Sequence, residues 1–290
     1  MLFRSEPVVM DPVPLPEAGS ALDAEVTLRF GFTNVKLTKY DTPVYYKNAT
    51  KEVQDTAGNV FTYTYPVKGD ADNWNAKFEW KSGDKGPTLT LNGFVMDDYN
   101  NETGYSRSET TTTTDETTGE TITTYTGSSV QTYAINCPKN VHAMNIVLTG
   151  EDSLIECHFG VNYYCDTTIK SEGDAKLTMH NQNSCITSVE TAGAKLTLDA
   201  NLDLSKRGYY NGAHGGAVIQ TYKADLVING GEIKAMPLGG AVAGIRAYGS
   251  GNVIINGGKV TTHGLNGEAR TNGSLHAPAE IGRASCRERV

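Results

Sequence analysis

The chain has 290 residues, of which 38% are hydrophobic and 8% aromatic, and its formal net charge is −8 at pH 7. This length and apolar content suffice for one large domain or two small ones with a sizeable core. The acidic balance argues against a nucleic-acid partner, which requires a basic surface to neutralise phosphates. No stretch of ~18 consecutive apolar residues occurs, so no membrane-spanning helix is expected.

The composition of the first part of the chain changes near residue 22, from a proline-rich segment to strand-like stretches. Residues 1–21 contain several prolines and no apolar core long enough for a signal peptide, and they predict an extended lead-in or linker. Residues 22–87 contain strand-like stretches, such as AEVTLRF and AKFEWK, without a clear repeat. They predict a small β cap, or the first irregular coils of a larger β structure.

A repeat is clearest in ADLVINGGEIKA at 224–235 and GNVIINGGKVTT at 251–262. Each stretch follows an isoleucine-containing strand, and the two isoleucines, Ile219 and Ile245, lie 26 residues apart. Each unit is predicted to hold a short strand, a turn, a second strand, an Asn-Gly-Gly turn and a third strand. Repeats of this length with glycine-rich corners predict a solenoid. No apolar spacing of 3.6 residues, which would favour helical repeats, is visible.

Weaker copies of the second strand occur upstream as LTL at 89–91, IVL at 146–148, LTM at 177–179 and LTL at 196–198. Their outer residues share one face of a strand and are predicted to point into a core, whereas the middle residue faces outward. We therefore predict a right-handed parallel β-helix over residues 88–265, its handedness following from the general preference for right-handed crossovers. One interior row is predicted to contain Leu177, Leu196, Leu226 and Val253.

The largest interruption of the repeat is an insertion at residues 99–128. It contains SETTTTTDETTGETITTYTG at 108–127, in which two Thr-rich runs flank a turn sequence. This pattern predicts an exposed β-hairpin. Its low complexity is equally typical of a disordered polar loop.

The last segment, residues 266–290, is predicted to be a truncated end. Its final stretch, EIGRASCRERV, resembles the translation of a sequencing-adapter read-through. We therefore expect residues 281–290 to be foreign to the natural protein and to pack against nothing. The last coil would then present an open strand edge.

Four cysteines precede this tail, namely Cys137, Cys157, Cys165 and Cys185. No Cys-x-x-Cys spacing occurs, so a zinc site has little support. The spacing predicts small buried residues stacked between coils. A Cys157–Cys165 disulfide, or a disulfide between coils, is the alternative.

Parallel β-helices include pectate lyases and polygalacturonases, so a catalytic set has to be considered. Polygalacturonase-like enzymes carry paired aspartates, a Gly-His-Gly and an Arg-x-Lys, and here Asp97-Asp98, His214 and Arg246 follow in that order. The tripeptide lacks its first glycine, and no lysine follows Arg246 at the required place. Inverting hydrolysis also needs two carboxyl groups roughly 6.5–9.5 Å apart, and no acidic residue adjoins His214 or Arg246. We predict no catalytic residue.

Calcium-dependent lyase chemistry requires clustered carboxylates, because calcium takes 6–8 oxygen ligands. The predicted outward positions carry Thr, Val, Gln, Lys and Arg, so no cofactor and no metal ligand are predicted. A loop calcium site using Asp199, Asp203 or Asp225 stays open as an alternative.

Asn229 and Asn256 each precede a Gly-Gly pair, 27 residues apart. They are predicted to be structural, because Asn tolerates the left-handed conformation at a turn and stacked asparagines can bond along a ladder.

The strongest binding candidate is the loop SKRGYYNGAHGG at 205–216. Adjacent tyrosine rings suit sugar faces, and basic and amide side chains suit sugar hydroxyls. A second candidate is a strip of tyrosines that recur 26 residues apart at outward positions, although such rings are also ordinary surface residues of β proteins. The candidate ligand-binding residues are Tyr209, Tyr210, Arg207, Asn211, Tyr222 and Tyr248.

Four stretches, TPVYYKN, DNWNAKFEWKSGDKGPTLTLNGF, MNIVLTGEDSLI and DLVINGGEIKA, carry a resemblance over residues 40–265. The chain resembles carbohydrate-binding-domain-containing parallel β-helix surface proteins of anaerobic bacteria, which have a pectate-lyase-like fold. In those proteins an LTLNG strand precedes an I-x-L-x-G-x-N-x-I strand, and Asp152 stands here in place of the Asn. The resemblance implies an exported protein without catalysis, and it carries over no functional residue.

The expected function is therefore a non-catalytic, extracellular or cell-surface β-helix protein that binds a polysaccharide or glycan, or acts as an adhesin. A polysaccharide lyase or glycoside hydrolase of the β-helix class is the alternative, and a purely structural stalk is the second alternative.

Overall fold

The structure, a computed structural model, describes residues 25–30, 33–38, 42–54, 58, 60–97, 110–114, 121–125, 133–181, 183–188, 193–206, 217–237, 243–262 and 279–281. Every regular element among these residues is a β-strand, and no helix occurs among them. The strands in chain order are β1 (Glu25–Phe30), β2 (Thr33–Thr38), β3 (Val44–Gln54), β4 (Val60–Lys68), β5 (Ala76–Glu79), β6 (Thr88–Leu91), β7 (Val95–Asp97), β8 (Thr110–Thr114), β9 (Thr121–Tyr125), β10 (Tyr133–Asn136), β11 (Ala143–Leu148), β12 (Ser153–Glu156), β13 (Phe159–Asn162), β14 (Asp166–Ser171), β15 (Lys176–Asn181), β16 (Ile186–Thr187), β17 (Leu196–Asp199), β18 (Asn201–Lys206), β19 (Ala217–Tyr222), β20 (Leu226–Gly230), β21 (Glu232–Pro237), β22 (Ala243–Tyr248), β23 (Val253–Ile255), β24 (Lys259–Thr262) and β25 (Ala279–Ile281).

Three sheets of stacked strands form a parallel β-solenoid. The first sheet has the order β2-β1-β10-β13-β16-β19-β22, the second β23-β20-β17-β14-β11-β6-β5-β3-β4, and the third β25-β24-β21-β18-β15-β12-β7. Each coil passes through the second, third and first sheets in turn, as β11, β12 and β13 do. The predicted parallel β-helix is confirmed.

Aliphatic side chains stacked from coil to coil fill the interior. One row in the second sheet contains Leu89, Ile146, Ile169, Leu198, Ile228 and Ile255, paired in register between neighbouring strands. All but Ile255 are completely buried. Burying a side chain of this size contributes about 1.5–3 kcal/mol, so each coil stabilises the next.

The predicted interior row is correct for three of its four members. Leu196, Leu226 and Val253 are paired neighbours in the second sheet. Leu177 was placed wrongly, because it lies on β15 in the third sheet and pairs with Leu202.

The strand neighbour of Leu196 on the preceding coil is a threonine, which a search for aliphatic residues does not detect. Thr167 on β14 pairs with Leu196 and is buried. Its hydroxyl donates to the carbonyl of Cys165 at 2.9 Å, so the polar group has a partner inside the core. Such a paired hydroxyl can replace an aliphatic group without leaving an unsatisfied polar atom.

Antiparallel strands close the N-terminal end of the solenoid. β1 pairs with β2 and β10, while β5 links β3 to β6, so the N-terminal strands extend the first and second sheets. Phe30 lies 5.3 Å from Phe94 and 5.8 Å from Tyr46 between ring centroids. These buried rings cover the first coil, and the irregular N-terminal β region is confirmed.

The Thr-rich insertion and the last segment both form antiparallel pairs. β8 pairs with β9 over their whole lengths, so the predicted hairpin is confirmed. β25 pairs with β24, with Ile281 opposite Val260. The prediction that the tail packs against nothing is therefore wrong at Ile281, and residues 282–290 lie outside the described part of the chain.

The four cysteines are buried in the interior, as the spacing predicted, and no disulfide joins them. Burial raises the pKa of Cys165 and of Cys185 to about 12 and raises that of Cys137 as well. These side chains therefore act as small apolar core residues at neutral pH.

Replacing Ile228 by aspartate should abolish folding of the solenoid. An unpaired carboxylate at this fully buried position costs several kcal/mol, against a total stability of roughly 5–15 kcal/mol. Circular dichroism during thermal unfolding measures the effect. Ile254→Asp, on the outer face of the next coil where the side chain is 38% exposed, is the control and should melt close to the wild type. An unchanged melting temperature in Ile228→Asp would contradict the core described above.

Candidate functional site

An open groove of about 530 Å³ lies on the outer face of the second sheet. Strands β5, β6, β11 and β14 form its floor, and alternation along each strand turns every second side chain outward. One outward row contains Lys77, Thr90, Val147 and Lys170, and the neighbouring row contains Glu79, Thr88, Asn145 and Thr168. The floor of the groove is therefore a rigid array of mainly polar side chains.

Trp74 lines one end of this groove. It follows a tight turn in which the Asp70 carboxylate accepts hydrogen bonds from the backbone N–H groups of Asp72 and Asn73, both at 3.0 Å. The half-buried indole lies 6.3 Å from the ring of Tyr45 between centroids. Lys77 Nζ lies 5.8 Å from the indole centroid. The ring is thus held from two sides, and part of it is open to solvent.

A carboxylate bound by two lysines lies beside the indole. Glu79 Oε1 is 2.8 Å from Lys77 Nζ and 3.3 Å from Lys81 Nζ. Burial alone would raise the pKa of Glu79, but the hydrogen bond and charge of Lys77, together with Lys81, outweigh it, so the pKa is lowered. Glu79 is consequently ionised at neutral pH and accepts hydrogen bonds without donating them.

The remainder of the floor offers amide and hydroxyl groups and one further ion pair. Asn145 Nδ2 donates to Thr88 Oγ1 at 3.4 Å, which leaves the amide oxygen available. Lys170 and Glu172 form an ion pair of 3.6 Å at the far end. An indole face beside hydroxyl, amide and charged groups suits a ligand with one apolar face and many hydroxyl groups.

Sequence reasoning missed this groove, although its signal is present. In WNAKFEWK, Lys77 and Glu79 alternate with the buried residues Ala76 and Phe78. That alternation marks an outward charged face on β5. The sequence does not show that Asn145 and Lys170, from later coils, lie across from it.

The predicted tyrosine strip exists, but its rings are already engaged. Tyr222 and Tyr248 stack at 5.4 Å with an interplanar angle of 17°. Lys223 Nζ lies 5.3 Å from the first ring centroid and the Arg246 guanidinium 4.6 Å from the second. Each tyrosine ring therefore has an aromatic ring on one side and a cationic group near it. The loop residues Arg207, Tyr209, Tyr210 and Asn211 lie outside the described residues.

The polygalacturonase-like residues are not brought together where they are described. Asp97 ends β7 in the third sheet, whereas Arg246 lies on β22 in the first sheet. Asp98 and His214 lie outside the described residues. Asp97 instead pairs in register with Glu156, whose carboxylate is 2.9 Å from His180 Nδ1.

The three aspartates considered for calcium have separate surroundings. Asp203 lies 3.8 Å from Lys234 Nζ, and Asp225 accepts a hydrogen bond from the Asn252 backbone at 2.8 Å. Asp199 ends β17, with its side chain exposed. Within the described part of the chain, no three His, Cys, Asp or Glu side chains are placed to hold a metal ion.

The repeated asparagines are structural, as predicted. Asn256 Nδ2 donates to Asn229 Oδ1 at 2.9 Å, which joins neighbouring coils. The left-handed conformation falls on the second glycine of each turn, not on the asparagine, with φ of 80° at Gly231 and 84° at Gly258.

Among the described residues, no helix has the length and apolar character needed to cross a membrane. Comparison with known proteins adds no relative, because no family model, curated protein or solved structure matches the chain.

The Glu79 cluster predicts an acid-dependent loss of stability. Because the folded-state pKa is lowered, the unfolded state binds more protons in acid, so stability rises with pH through this window. The contribution is present above the ordinary value of 4.5 and is lost as the pH falls through the lowered folded value. Melting temperatures across this range should therefore depend less on pH in Glu79→Gln than in the wild type.

Glu232→Gln is the control, because it removes a half-exposed carboxylate that pairs with Lys259 at 3.3 Å. Exposed pairs contribute little, so this variant should follow the wild-type profile. Identical profiles for the wild type and Glu79→Gln would show that the two lysines do not stabilise the ionised carboxylate.

Proposed function

We propose that this protein is a non-catalytic carbohydrate-binding β-helix protein, and that the groove beside Trp74 holds the glycan. The observation that carries the proposal is a partly exposed indole at the end of an open groove whose floor is polar and rigid. Binding sites for small ligands commonly measure ~300–1,000 Å³, and this groove lies within that range at about 530 Å³.

The charges in the groove favour a neutral glycan over an acidic one. The lining includes three lysines, Lys77, Lys81 and Lys170, and three carboxylates, Glu79, Asp84 and Glu172. Glu79 already engages two of the lysines, and Glu172 engages the third. A polymer of uronic acids would have to displace these carboxylates, whereas neutral sugar hydroxyls can bond to both kinds of group.

The state of Glu79 also supports binding without turnover. Glycoside hydrolysis needs a carboxylic acid that is protonated at the working pH. The neighbouring lysines lower the pKa of Glu79 and so keep it ionised. The resemblance to carbohydrate-binding-domain-containing surface proteins points the same way, and it supports an exported or cell-surface location.

The enzyme alternative has its best location elsewhere, at Asp97 and Glu156. These carboxylates lie on neighbouring coils of the third sheet, and Glu156 contacts His180. Strand neighbours are about 4.8 Å apart, close to the carboxylate separation of retaining glycosidases. A test of function therefore has to include this pair.

Trp74→Ala should weaken binding of neutral glycans about fivefold while leaving the melting temperature unchanged. A stacking contact of one ring contributes on the order of 1 kcal/mol by analogy with aromatic pairs, and 1.4 kcal/mol corresponds to a tenfold change in affinity. A glycan array selects the probe, and titration calorimetry with that neutral oligosaccharide measures the loss. Tyr222→Ala, which removes an aromatic ring outside the groove, is the control and should bind like the wild type.

Three outcomes would contradict the proposal. Unchanged affinity in a folded Trp74→Ala protein, with a loss in the Tyr209→Ala/Tyr210→Ala double variant, would move the site to the loop at 205–216. Release of reducing or unsaturated products, lost in Glu156→Gln, would favour the enzyme alternative. Absence of both binding and turnover would leave a structural stalk.

A further inference from the structure

A row of tyrosines lies where the chain passes from the first sheet to the second. Tyr222 and Tyr248 are register neighbours on β19 and β22. Tyr164 follows Asn162 by two residues, as Tyr222 follows Gln220, and Asn162 and Gln220 belong to one register row. Tyr164 therefore lies in the same row as the other two tyrosines, at two strand spacings, or about 10 Å, from Tyr222.

Each of these three rings carries a cation. Lys139 Nζ lies 4.3 Å from the ring centroid of Tyr164, and the cations over the other two rings lie at a similar range. Contacts of this kind within about 6 Å are attractive, so the rings hold the positive charges in a line along the solenoid. We call six residues the basic strip: Lys139, Tyr164, Tyr222, Lys223, Arg246 and Tyr248.

The cations of the basic strip pair with no carboxylate among the described residues. Asp166 and Asp225, at the turns that follow the strip, accept hydrogen bonds from backbone N–H groups of the next coil at 2.9 and 2.8 Å. Arg246 is half-buried, its Nε is buried without a hydrogen-bond partner, and burial lowers its pKa. On the third sheet, by contrast, Lys234 pairs with Asp203. The strip therefore lacks the counter-charge that such a lysine has.

Lys223 is held in a backbone conformation that a lysine rarely adopts. Its φ of 51° lies in the left-handed region, where few non-glycine residues occur. Its N–H donates to the carbonyl of Tyr248 at 2.6 Å. The next coil has Gly249 after Tyr248, with a φ of 82°, so a glycine forms the equivalent turn without strain. A strained residue that persists at such a turn points to a role for its side chain.

We propose that the basic strip binds an acidic polysaccharide through its repeated carboxylate or sulfate groups. The strip extends over three strand spacings, or about 14 Å, so a polymer can reach all three cations and a single small anion cannot. A nucleic acid requires a broad basic surface, whereas the strip is narrow and the chain has a net charge of −8. Tyrosine hydroxyls both donate and accept hydrogen bonds, which suits the hydroxyl groups of sugars.

The basic strip and the groove beside Trp74 are separate sites. The strip belongs to strands of the first sheet and the groove to strands of the second. This inference therefore does not depend on the neutral glycan proposed for the groove.

Dextran sulfate and polygalacturonate are the probes for the two kinds of anionic group, and titration calorimetry with the full chain measures their affinity. At least one of them should bind, and its affinity should fall as salt is added, because salt screens exposed charges. Lys139→Gln/Lys223→Gln/Arg246→Gln should bind that polymer about tenfold more weakly, since three exposed ion contacts are lost. Binding of only one polymer would support the proposal and identify the anionic group. Any binding of neutral dextran should be the same in the wild type and in this variant.

Lys51→Gln/Lys68→Gln/Lys85→Gln is the matched control, because it removes the same charge from three exposed lysines outside the strip. It should bind the acidic polymer like the wild type. Lys139→Gln/Lys223→Gln changes only exposed side chains of the strip. It should keep the wild-type melting temperature and lose about threefold in affinity, which keeps the test valid if the Arg246 substitution prevents folding.

Equal losses in the two triple variants would overturn the proposal, because the overall charge would then explain binding. So would a wild type that binds neither acidic polymer. Tighter binding of duplex DNA or polyglutamate, lost in the strip variant, would assign the strip to another class of partner and overturn it as well. Trp74→Ala should leave binding of the acidic polymer unchanged, so failure of the groove and failure of the strip give different results.

Discussion

The stacking of aliphatic side chains between in-register parallel strands is the interaction on which this structure depends. No coil can bury its inward residues alone, so each relies on the coils beside it. Ile228 illustrates the point, because its neighbours in the row are Leu198 on one side and Ile255 on the other. The first coil has no coil before it, and aromatic rings from the N-terminal strands cover its inward residues instead, as Phe30 covers Phe94.

The same register builds the outer surface. When Ile146 stacks on Leu89 inside, Asn145 and Thr88 must be neighbours outside, and they form a hydrogen bond there. The groove is therefore a consequence of core packing, and its floor cannot shift without disturbing the interior. Such rigidity lowers the entropic cost of ordering this surface around a ligand, as the proposed glycan site would require.

Polar residues inside the solenoid differ in how they are satisfied. Thr167 donates to a backbone carbonyl and can take an aliphatic position without an unpaired group. Asn181 is satisfied at one end, because its Oδ1 accepts a hydrogen bond from the backbone N–H of Cys157 at 3.2 Å, whereas its Nδ2 is among the buried nitrogens without a hydrogen-bond partner.

Much of the coil architecture could be predicted, because period-2 alternation and turn residues are local properties. Ile219 and Ile245 are paired as their spacing predicts, and Asn229 and Asn256 bond along the ladder. The prediction assigned Leu177 to the wrong sheet. The actual strand neighbour of Leu196 is Thr167 on β14, which the search for aliphatic residues did not detect. A search for paired aliphatic residues misses β14, because one of its two inward positions is Thr167 and only the other, Ile169, is aliphatic.

By itself the sequence determined that the chain is a β-solenoid, that alternate residues on each strand point inward, and where the glycine corners fall. Only the tertiary structure decided which strands are neighbours. That decision placed Trp74 and Lys77 in one groove with Asn145 and Lys170, and it paired Asn181 with Lys206. The physical reason is that loops of unequal length separate the strands, so the register between coils is set by how the whole interior packs.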